Sequence, residues 1–527
     1  MRRSLLTFTA LVLLLAACSG SSTDTTAGPT DTSGEAPATT AAPDDTSAPE
    51  TTAAPAVDGA EITIAIGSEP STLDPHTRDD GGERAINDNI YETLLARDAE
   101  GNLQPLLAAD LPTQVDDTTW DVTIRDGISF TNGNALDAAA VAGSFNRLIG
   151  LGDESEQSGF FGTIASVEAV DAMTVRFTTS GPDPVLPSRL YWLKVIDPST
   201  ADADGFDENP VGTGPYTFVA WNRGSDVVLE ANADYWGGAP SVSKVTFRFI
   251  EEGGTRLSGL LGGDFDMITN LSPEDAAAVP KAVSVTGLEH PIFILSAIDG
   301  PTADVNVRKA MNMAIDKQAL ADALFGGRAT VDQCQILGSN LFGFNPALEA
   351  YPYDPDTARQ MITDAGAEGA TISVVGESGR WLKDRELIEA VANYWSEIGL
   401  VPDVQIYEFG EYLNRLFDRE TRASAIFVSS SNDLLDPTRQ LGNYYSSDGI
   451  GSSNTNEDLR QLVADGAVTT DVAAREGIYH QATQIACDEA YFAFLLNIED
   501  SYGLSERLDY TPRLDGRLLV KDMTVTG

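Results

Sequence analysis

The chain has 527 residues, of which 42% are hydrophobic, and a formal net charge of −47. So large an excess of acids repels the phosphates of nucleic acids, which excludes nucleic acid as a partner. The length exceeds that of one typical domain, and the apolar content suffices for more than one core. Solubility in the extracellular medium, or a salty habitat, accounts for the charge without a ligand.

The N-terminus has the features of a secretory signal. Arg2 and Arg3 precede an apolar run over 5–17 that is too short to span a bilayer as a helix. The small residues before Cys18 resemble a lipobox, the site where bacterial lipoproteins are cleaved and acylated. We therefore predict a lipoprotein signal peptide over 1–18 with lipidation at Cys18, and an ordinary signal with a stray cysteine is the alternative.

Residues 19–58 consist almost wholly of Ser, Thr, Ala, Pro, Gly, Asp and Glu. Such a segment cannot bury enough apolar surface to become ordered. We expect a disordered Thr/Ala/Pro-rich tether between the acylated cysteine and a soluble body. The expected location is therefore extracytoplasmic, with the lipid anchor on the outer face of the cell membrane as the membrane contact.

The first part of the body is rich in strand patterns. Alternating apolar residues predict strands over 61–67, 120–124 and 243–250 and a hairpin within 167–178. Helical spacing predicts helices over 85–96, 136–148 and 251–261. Ser272 before Pro273 predicts another helix start, because Ser caps a helix and Pro suits its first position.

From Val305 onward helices and strands alternate, which is typical of an α/β lobe. The segment 305–324 has helical spacing and forms one helix, or two joined near Asp316. Further helices are predicted over 382–398 and 470–486 and from Phe409. Strands are predicted over 371–375, 404–407, 425–428 and 492–496.

Residues 209–238 carry the strongest functional signal and read NPVGTGPYTFVAWNRGSDVVLEANADYWGG. Gly212, Gly214 and Pro215 form a rigid turn, and two strands follow before a Tyr-Trp pair and a Gly-Gly turn. The block resembles the GTGPY and NPDYWGG motifs of the extracytoplasmic solute-binding proteins of peptide-type ABC importers, bacterial family 5. Four more blocks resemble that family in its order: LDP at 73–75, RDGISFTNG at 125–133, VRKAMNMAID at 307–316 and YPYDPDTA at 351–358.

The resemblance implies an α/β fold of the two-lobe, type II (Venus-flytrap) periplasmic-binding-protein kind, with a small extra domain inserted in the N-terminal lobe. Solute is bound between the lobes, which close around it. The implied domain limits are lobe I over 59–95, 206–290 and 491–527, the inserted domain over 96–205 and lobe II over 291–490.

Two residues are candidates to hold the ends of a peptide. The D-x-x-D-P pattern at 433–437 resembles that of dipeptide binders, which gives Asp433 the role of meeting the α-ammonium; capping of a surface turn is the alternative. Arg380 lies in a loop at the C-terminal end of a strand, the usual ligand edge of such a sheet. A guanidinium there would hold a carboxylate bidentately, or else pair with Glu377 or Asp384.

Six further residues are weaker candidates, each as compatible with a structural role: Trp381, Glu69, Ser71, Asn270, Tyr407 and Tyr444. The sequence also departs from the family. Ser430 stands where family members often have Trp, and 297–300 replace a usual Phe-Asn. Peptide is the leading ligand, and nickel chelates, opines, oligosaccharides and haem, which relatives of the same shape bind, stay open.

Cys334 and Cys487 remain beyond Cys18, and a disulfide between them is allowed in a secreted protein, although sequence cannot show that they meet. No Cys or His has metal-ligand spacing, so we expect no metal and no cofactor. No nucleophile or hydrolase motif is present, so we expect no enzyme. The predicted partners of a monomer are a small solute and the permease subunits with their ATPases. A carboxylate-pair hydrolase and a sensory binding protein without transport are the alternatives.

Overall fold

The computed structural model describes residues 59–98, 100–201, 203, 205–378, 380–418 and 422–526. The predicted signal peptide over 1–18, with Cys18, and the predicted tether over 19–58 lie outside these residues. Among the helices of the described ranges, none combines the length and apolar character that a membrane span requires.

The largest sheet of the described chain has eight strands, and together with the helices packed on it we call it the first lobe. Ala60–Ile66 pairs in parallel with Val242–Phe249 on one side and Met267–Thr269 on the other. The alternating residues Ile62 and Ile64 are buried in its core. In sheet order the strands are Tyr216–Asn222, Asp226–Ala231, Val242–Phe249, Ala60–Ile66, Met267–Thr269, Leu496–Leu504 and Lys281–Thr286, with Ala329–Val331 paired to Leu496–Leu504.

A five-stranded sheet with its helices forms what we call the second lobe. Thr371–Glu377 pairs in parallel with Val401–Tyr407 and Ala425–Ser431, as an α/β arrangement requires. Phe293 and Trp395 meet edge to face at 5.0 Å in its core. In sheet order the strands are Val401–Tyr407, Thr371–Glu377, Ala425–Ser431, Glu289–Leu295 and Phe492–Phe494.

A four-stranded antiparallel sheet lies in sequence between two strands of the first lobe, Ala60–Ile66 and Tyr216–Asn222. Helix Ala138–Leu151 belongs to the same core, where Phe145 meets Phe177 edge-on at 4.9 Å. We call this sheet and its helices the inserted unit. Its strands, in sheet order, are Thr113–Asp116, Thr119–Thr123, Thr174–Thr179 and Ile164–Ala169.

The α-helices of the described residues are Gly81–Ile90, Ala138–Leu151, Ser158–Phe161, Leu186–Trp192, Gly253–Gly262, Val305–Met313, Lys317–Phe325, Pro355–Asp364, Asp384–Glu397, Phe409–Phe417, Pro437–Tyr445, Glu457–Val468 and Val472–Asp488. Two-stranded ladders pair Glu92–Thr93 with Lys194–Val195, Leu95–Arg97 with Leu103–Pro105, and Leu508–Asp509 with Thr524–Val525.

The helix predicted over 85–96 is wrong at both ends. The helix occupies Gly81–Ile90, and Asp80 caps it by accepting a hydrogen bond from the Gly81 backbone N–H at 2.8 Å. Tyr91 turns extended, and the residues after it enter short strands. Leu94 and Leu95, before and in the second of these strands, are apolar and buried, so the helical spacing of the sequence runs past the true end.

Two other helix predictions have different outcomes. The start predicted at Ser272 yields only the single 3-10 turn Pro273–Asp275, since the Ser272 side chain makes no capping hydrogen bond. For 305–324 the two-helix alternative is correct. Asp316 accepts a hydrogen bond from the Ala319 backbone N–H at 2.9 Å and so begins the second helix.

Two short segments, 287–288 and Leu495, connect strands of one lobe to strands of the other. The side-chain amide of Asn497 ties the crossings together, because it donates to the carbonyl oxygens of Gly287 at 2.9 Å and Glu289 at 3.1 Å. Adjacent crossings of this length are typical of a hinge.

The GTGPY and DYWGG motifs meet around one buried carboxylate, Glu92. Its oxygens accept hydrogen bonds from the Thr213 hydroxyl at 2.8 Å, the Tyr235 hydroxyl at 2.6 Å and the Trp236 indole N–H at 2.8 Å. Burial raises the pKa of Glu92, although the three donors act in the opposite direction. The two motifs therefore stabilise the first lobe.

Cys334 and Cys487 form a disulfide, with 5.2 Å between their Cα atoms. It joins the segment after strand Ala329–Val331 to the end of helix Val472–Asp488. The cysteines are 153 residues apart, and a cross-link over so long a loop stabilises mainly by restricting the unfolded chain.

Replacing Gly214 by Ala tests the GTGPY turn. A Cβ there would lie 2.6 Å from the carbonyl oxygen of Ile90 and 2.7 Å from that of Asn89. We expect Gly214→Ala to lower the free energy of unfolding by roughly 2–4 kcal/mol in urea titrations. The control is Gly477→Ala, a helical position with no neighbour within 4 Å, which should be neutral or stabilising. Equal stability of both variants would contradict the structural role of the turn.

Candidate functional site

Two parallel strands of the second lobe, Thr371–Glu377 and Ala425–Ser431, lie side by side and end at the same edge of the sheet. The loops over 378–383 and 432–436 continue from these ends. The carboxyl ends of parallel strands are where open α/β sheets usually bind ligands.

These loops or the residues next to them contact the first lobe through two ion pairs. The Arg380 guanidinium lies 3.7 Å from the Asp80 carboxylate, and the Lys383 ammonium lies 2.8 Å from the Glu274 carboxylate. We call this boundary the interlobe cleft. All four side chains are partly exposed, and such pairs contribute at most about 1 kcal/mol each, so they can break reversibly.

Asp433 stands in a loop that is fixed on both sides. The Ser431 hydroxyl donates to its carboxylate at 3.0 Å, and the Arg439 guanidinium lies 3.6 Å away. The neighbouring Leu434 is buried, and its carbonyl oxygen accepts a hydrogen bond from the Arg97 guanidinium at 2.7 Å. The loop therefore presents Asp433 in a defined position.

The second acid of the D-x-x-D-P pattern has a different function. Asp436 accepts a hydrogen bond from the Thr438 backbone N–H at 3.0 Å, which caps helix Pro437–Tyr445. It also forms a bidentate ion pair with Arg475 at 2.7 and 2.8 Å. Its carboxylate is saturated, so Asp436 is structural.

A chain of arginine and aromatic contacts runs from Asp433 to the first lobe. Arg439 lies over the ring of Phe160 at 4.0 Å, Phe160 stacks on Trp192 at 4.8 Å, and Arg84 lies over Trp192 at 4.4 Å. Burial acts to lower the pKa of Arg84, but the carboxylates around it, Asp433 foremost, raise it overall. The cationic side chains thus face Asp433 from two sides.

Glu289 lies at the centre of this site. It is the first residue of the strand after the crossing at 287–288, and it pairs in register with Ser431. Burial raises the pKa of Glu289 to about 7; the neighbouring Ser429 hydroxyl and Arg380 oppose the rise, and Asp433 and Asp500 add to it. Its Oε2 atom is buried without a hydrogen-bond partner among the described residues. Glu289 therefore lies within electrostatic reach of both candidate peptide anchors.

Two more carboxyl groups near the cleft have raised pKa values. Burial raises the pKa of Glu377 to about 7, with repulsion from Asp384 adding to the rise and attraction to Arg380 opposing it. Burial alone raises the pKa of Asp500 to about 6. Three carboxyl groups at the boundary between the lobes, those of Glu289, Glu377 and Asp500, thus have raised pKa values.

Trp381 is part of the second-lobe core at the cleft. Its ring meets Tyr412 edge-on at 6.3 Å and Phe427 at 5.9 Å. The Arg380 guanidinium lies 5.6 Å from its ring centroid. Tyr444 is also buried, with an edge contact to Phe492 at 5.4 Å.

The other predicted ligand residues have local partners. The Glu69 carboxylate accepts hydrogen bonds from the Trp221 indole at 2.9 Å and the Gly224 backbone N–H at 3.0 Å, which holds a first-lobe hairpin. Ser71 donates from its hydroxyl to Glu83 at 2.8 Å. These contacts account for Glu69 and Ser71 structurally, and their part in ligand binding stays a prediction.

Asn270 and Tyr407 lie at strand ends. Asn270 is exposed, with φ of 51°, a left-handed conformation that Asn tolerates better than most residues. Tyr407 pairs in register with Glu377, and its hydroxyl donates to Gln405 on its own strand. The structure therefore brings Asp433, Arg380 and Tyr444 within electrostatic reach of Glu289, with Trp381 beside Arg380, and it gives Glu69, Ser71, Asn270 and Tyr407 other surroundings.

A cavity of about 560 Å³ opens between the inserted unit and the second lobe. Arg97 and Trp120 line it from one side, and Leu435, Asp436 and Arg475 from the other. Leu435 and Asp436 come shortly after Asp433 in the chain, but none of the predicted ligand residues lines this cavity. Its volume is in the range of sites for small molecules.

Comparison with known proteins gives a family match over residues 102–452, to the bacterial extracellular solute-binding proteins, family 5 (middle). The glutathione-binding protein GsiB of Escherichia coli O1:K1 / APEC is 24% identical over 449 residues, which is 82% of this chain and 87% of that protein. The periplasmic binding protein DppA from Helicobacter pylori, solved with the peptide STSA, is 23% identical with a TM-score of 0.74, over 89% of this chain and 98% of that chain. NikA from Brucella suis, solved with Fe(III)-EDTA, is 20% identical with a TM-score of 0.82, over 88% of this chain and 100% of that chain.

The fold and the cleft define a binding protein of the periplasmic type. The chain belongs to family 5 of the bacterial extracellular solute-binding proteins. It is the extracytoplasmic substrate-binding protein of an ABC transporter, and proteins of this family bind solutes and are not enzymes. The α/β fold and the solute-binding function predicted from sequence are confirmed.

Sequence reasoning missed several residues of the cleft. Glu289 could have been found in the sequence, because it is an acid at the start of a strand whose last four residues are apolar. Arg84, Arg439 and the stacked pair of Phe160 and Trp192 gave no such signal, since only the tertiary structure brings these distant positions together.

The raised pKa of Glu377 gives a pH test. The buried carboxyl stays protonated up to about pH 7, whereas in the unfolded chain it ionises near its ordinary value of 4.5. The folded state therefore binds more protons between these values, and stability falls as the pH rises through that window. We expect Glu377→Gln to abolish this contribution. From pH 5 to pH 8, its free energy of unfolding should rise by roughly 2–3 kcal/mol relative to that of the wild type.

The measurement is the free energy of unfolding at pH 5 and pH 8 for the wild type, Glu377→Gln and Glu476→Gln. Glu476 is exposed on helix Val472–Asp488 and serves as the control, with the pH dependence of the wild type. The same pH dependence in Glu377→Gln would contradict the burial of that carboxyl in the native state.

Proposed function

We propose that this protein is a lipoprotein that captures a peptide, or a similar small solute, between its two lobes and delivers it to an ABC permease. The observation that carries the proposal is Asp433. It is held in place by Ser431, and its nearest cation, Arg439, lies at 3.6 Å, beyond ordinary hydrogen-bond distance. A peptide α-ammonium would complete its coordination.

The contrast between the two acids of the motif supports this role. The Asp436 carboxylate caps a helix and pairs with Arg475, so its hydrogen-bonding capacity is used within the fold. Asp433 does neither, although it lies three residues earlier in the same loop. A buried boundary with acids and arginines suits a zwitterion, whose ends need opposite charges once water is excluded.

The proposed domain limits are those of the sequence, lobe I over 59–95, 206–290 and 491–527, the inserted domain over 96–205 and lobe II over 291–490, with adjustments at three strands. Strands Glu289–Leu295 and Phe492–Phe494 lie wholly in the second-lobe sheet, and strand Ala329–Val331 pairs into the first-lobe sheet. Closure would bring Arg380 to Asp80 and Lys383 to Glu274, and release would break these weak pairs.

The proposed partners are the permease subunits with their ATPases, and the proposed state is a monomer. Nickel chelates, opines, oligosaccharides and haem are the alternative ligands.

The test of the ligand site is Asp433→Asn. We expect it to weaken binding of short peptides by about 30-fold or more, since losing one partner of a desolvated charge pair costs roughly 2 kcal/mol or more. Calorimetry with a panel of di- and tripeptides measures this. Asp448→Asn, an exposed position on the same lobe, should bind as the wild type does. Peptide affinity unchanged in Asp433→Asn would remove this residue from the site.

The test of the anchor is Cys18→Ser. In a bacterial host, we expect the wild type to sediment with membranes and to carry acyl chains on its N-terminal cysteine by mass spectrometry, because two or three chains hold a protein stably on a bilayer. The variant should lack the acyl mass and leave the membrane fraction. A wild-type mature chain without acyl mass would refute the lipoprotein assignment.

A further inference from the structure

The Oε2 atom of Glu289 is a buried carboxylate oxygen of the cleft with no hydrogen-bond partner among the described residues. Four elements contribute the titratable groups that act on it: Asp433 from the loop after strand Ala425–Ser431, Asp500 from strand Leu496–Leu504, Arg380 from the loop after strand Thr371–Glu377, and Tyr444 from helix Pro437–Tyr445. Asp433 and Asp500 are acids, Arg380 is a base, and the Tyr444 hydroxyl is neutral. Acids therefore outnumber bases among these four groups, although Arg439 also lies 3.6 Å from Asp433.

The only cation in that set is already shared with other acids. Arg380 lies 3.7 Å from Asp80 and also acts electrostatically on Glu377. Meanwhile the Oε2 atom of Glu289 is buried and accepts no hydrogen bond from the described residues. A carboxylate in such a position is costly unless it is protonated or a cation from outside the chain pairs with it.

The position of Glu289 allows a bound ligand to supply this missing cation. Ser431 pairs with Glu289 in the sheet and also donates to Asp433, so the two carboxylates flank one serine at the base of the cleft. Asn497 holds the backbone carbonyl of Glu289 at 3.1 Å, which fixes the residue at the crossing between the lobes. A ligand that reaches Asp433 therefore passes close to Glu289.

We propose that Glu289 is a second acidic anchor and that the preferred ligand carries two cationic groups, an α-ammonium for Asp433 and the side chain of a Lys or Arg residue for Glu289. This rests on the proposed peptide-binding function and adds the class of peptide. The ion pair replaces the proton that the buried carboxyl holds in the unliganded protein. Binding of a basic peptide thus releases a proton, and its affinity increases as the pH rises.

The experiment compares Ala-Lys with Ala-norleucine, whose side chain has the same four carbon atoms without the ammonium group, by calorimetry at pH 6 and pH 8. Two buffers with different ionisation heats count the protons released. For the wild type at pH 8 we expect Ala-Lys to bind at least 10-fold more tightly than Ala-norleucine. At pH 6 this preference for Ala-Lys should be smaller. The affinity for Ala-norleucine should not depend on the ionisation of Glu289, and its binding should release no proton from that carboxyl.

The decisive variant is Glu289→Gln, with Glu476→Gln as the matched control on the surface of the second lobe. Glu289→Gln should bind both peptides with equal affinity and without net proton release, whereas Glu476→Gln should retain the preference for Ala-Lys. A thermal melt checks folding, and Glu289→Gln should be at least as stable as the wild type at pH 8 because it lacks a buried acid.

Three outcomes would overturn parts of the proposal in distinguishable ways. If the wild type binds both peptides equally, or if Glu289→Gln keeps the preference for Ala-Lys, the second anchor is refuted while peptide binding stands. If no peptide in a panel that includes basic ones binds the wild type, the proposed peptide function is refuted, and the inference about Glu289 with it.

Discussion

The two large sheets are joined by strands that run from one into the other, and this constraint determines where charge is buried. Only residues 287–288 and Leu495 separate the strands of the two lobes at these crossings. Glu289 opens the strand after the first crossing and Asp500 lies in the strand after the second. Burial at this boundary raises the pKa of both carboxyls above the ordinary range. The strands that cross between the lobes thus also carry two carboxyl groups with raised pKa values.

The acids at the boundary divide into those that the fold uses and those that it leaves for other partners. Asp436 caps a helix and binds Arg475, so its charge is neutralised within the second lobe. Asp433 and Glu289 lack comparable ion pairs with the described residues, and they share Ser431 as a neighbour. Under the proposed function, a ligand with positive charge would relieve this electrostatic cost and so couple binding to closure of the cleft.

The motif that identifies the family most clearly has no part in the cleft. Thr213, Tyr235 and Trp236 all donate to the buried Glu92, and Gly214 leaves no room for a side chain against the backbone near Ile90. These contacts stabilise the first lobe whatever solute is bound. The block therefore predicts the fold reliably and the ligand poorly, which explains why members of one family bind different solutes with the same architecture.

The sequence by itself determined the α/β class, the position of most strands and the family, because alternating apolar residues and glycine turns are local properties of the chain. It also indicated Asp433 and Arg380 through motif position. It failed at the end of the helix over Gly81–Ile90, because the apolar residues Leu94 and Leu95 continue the helical spacing. Only the tertiary structure decided that Glu289 and Asp433 both lie beside Ser431 and that Glu69 binds a hairpin, since the pairing of Glu289 with Ser431 and the contacts of Glu69 join residues far apart in the chain.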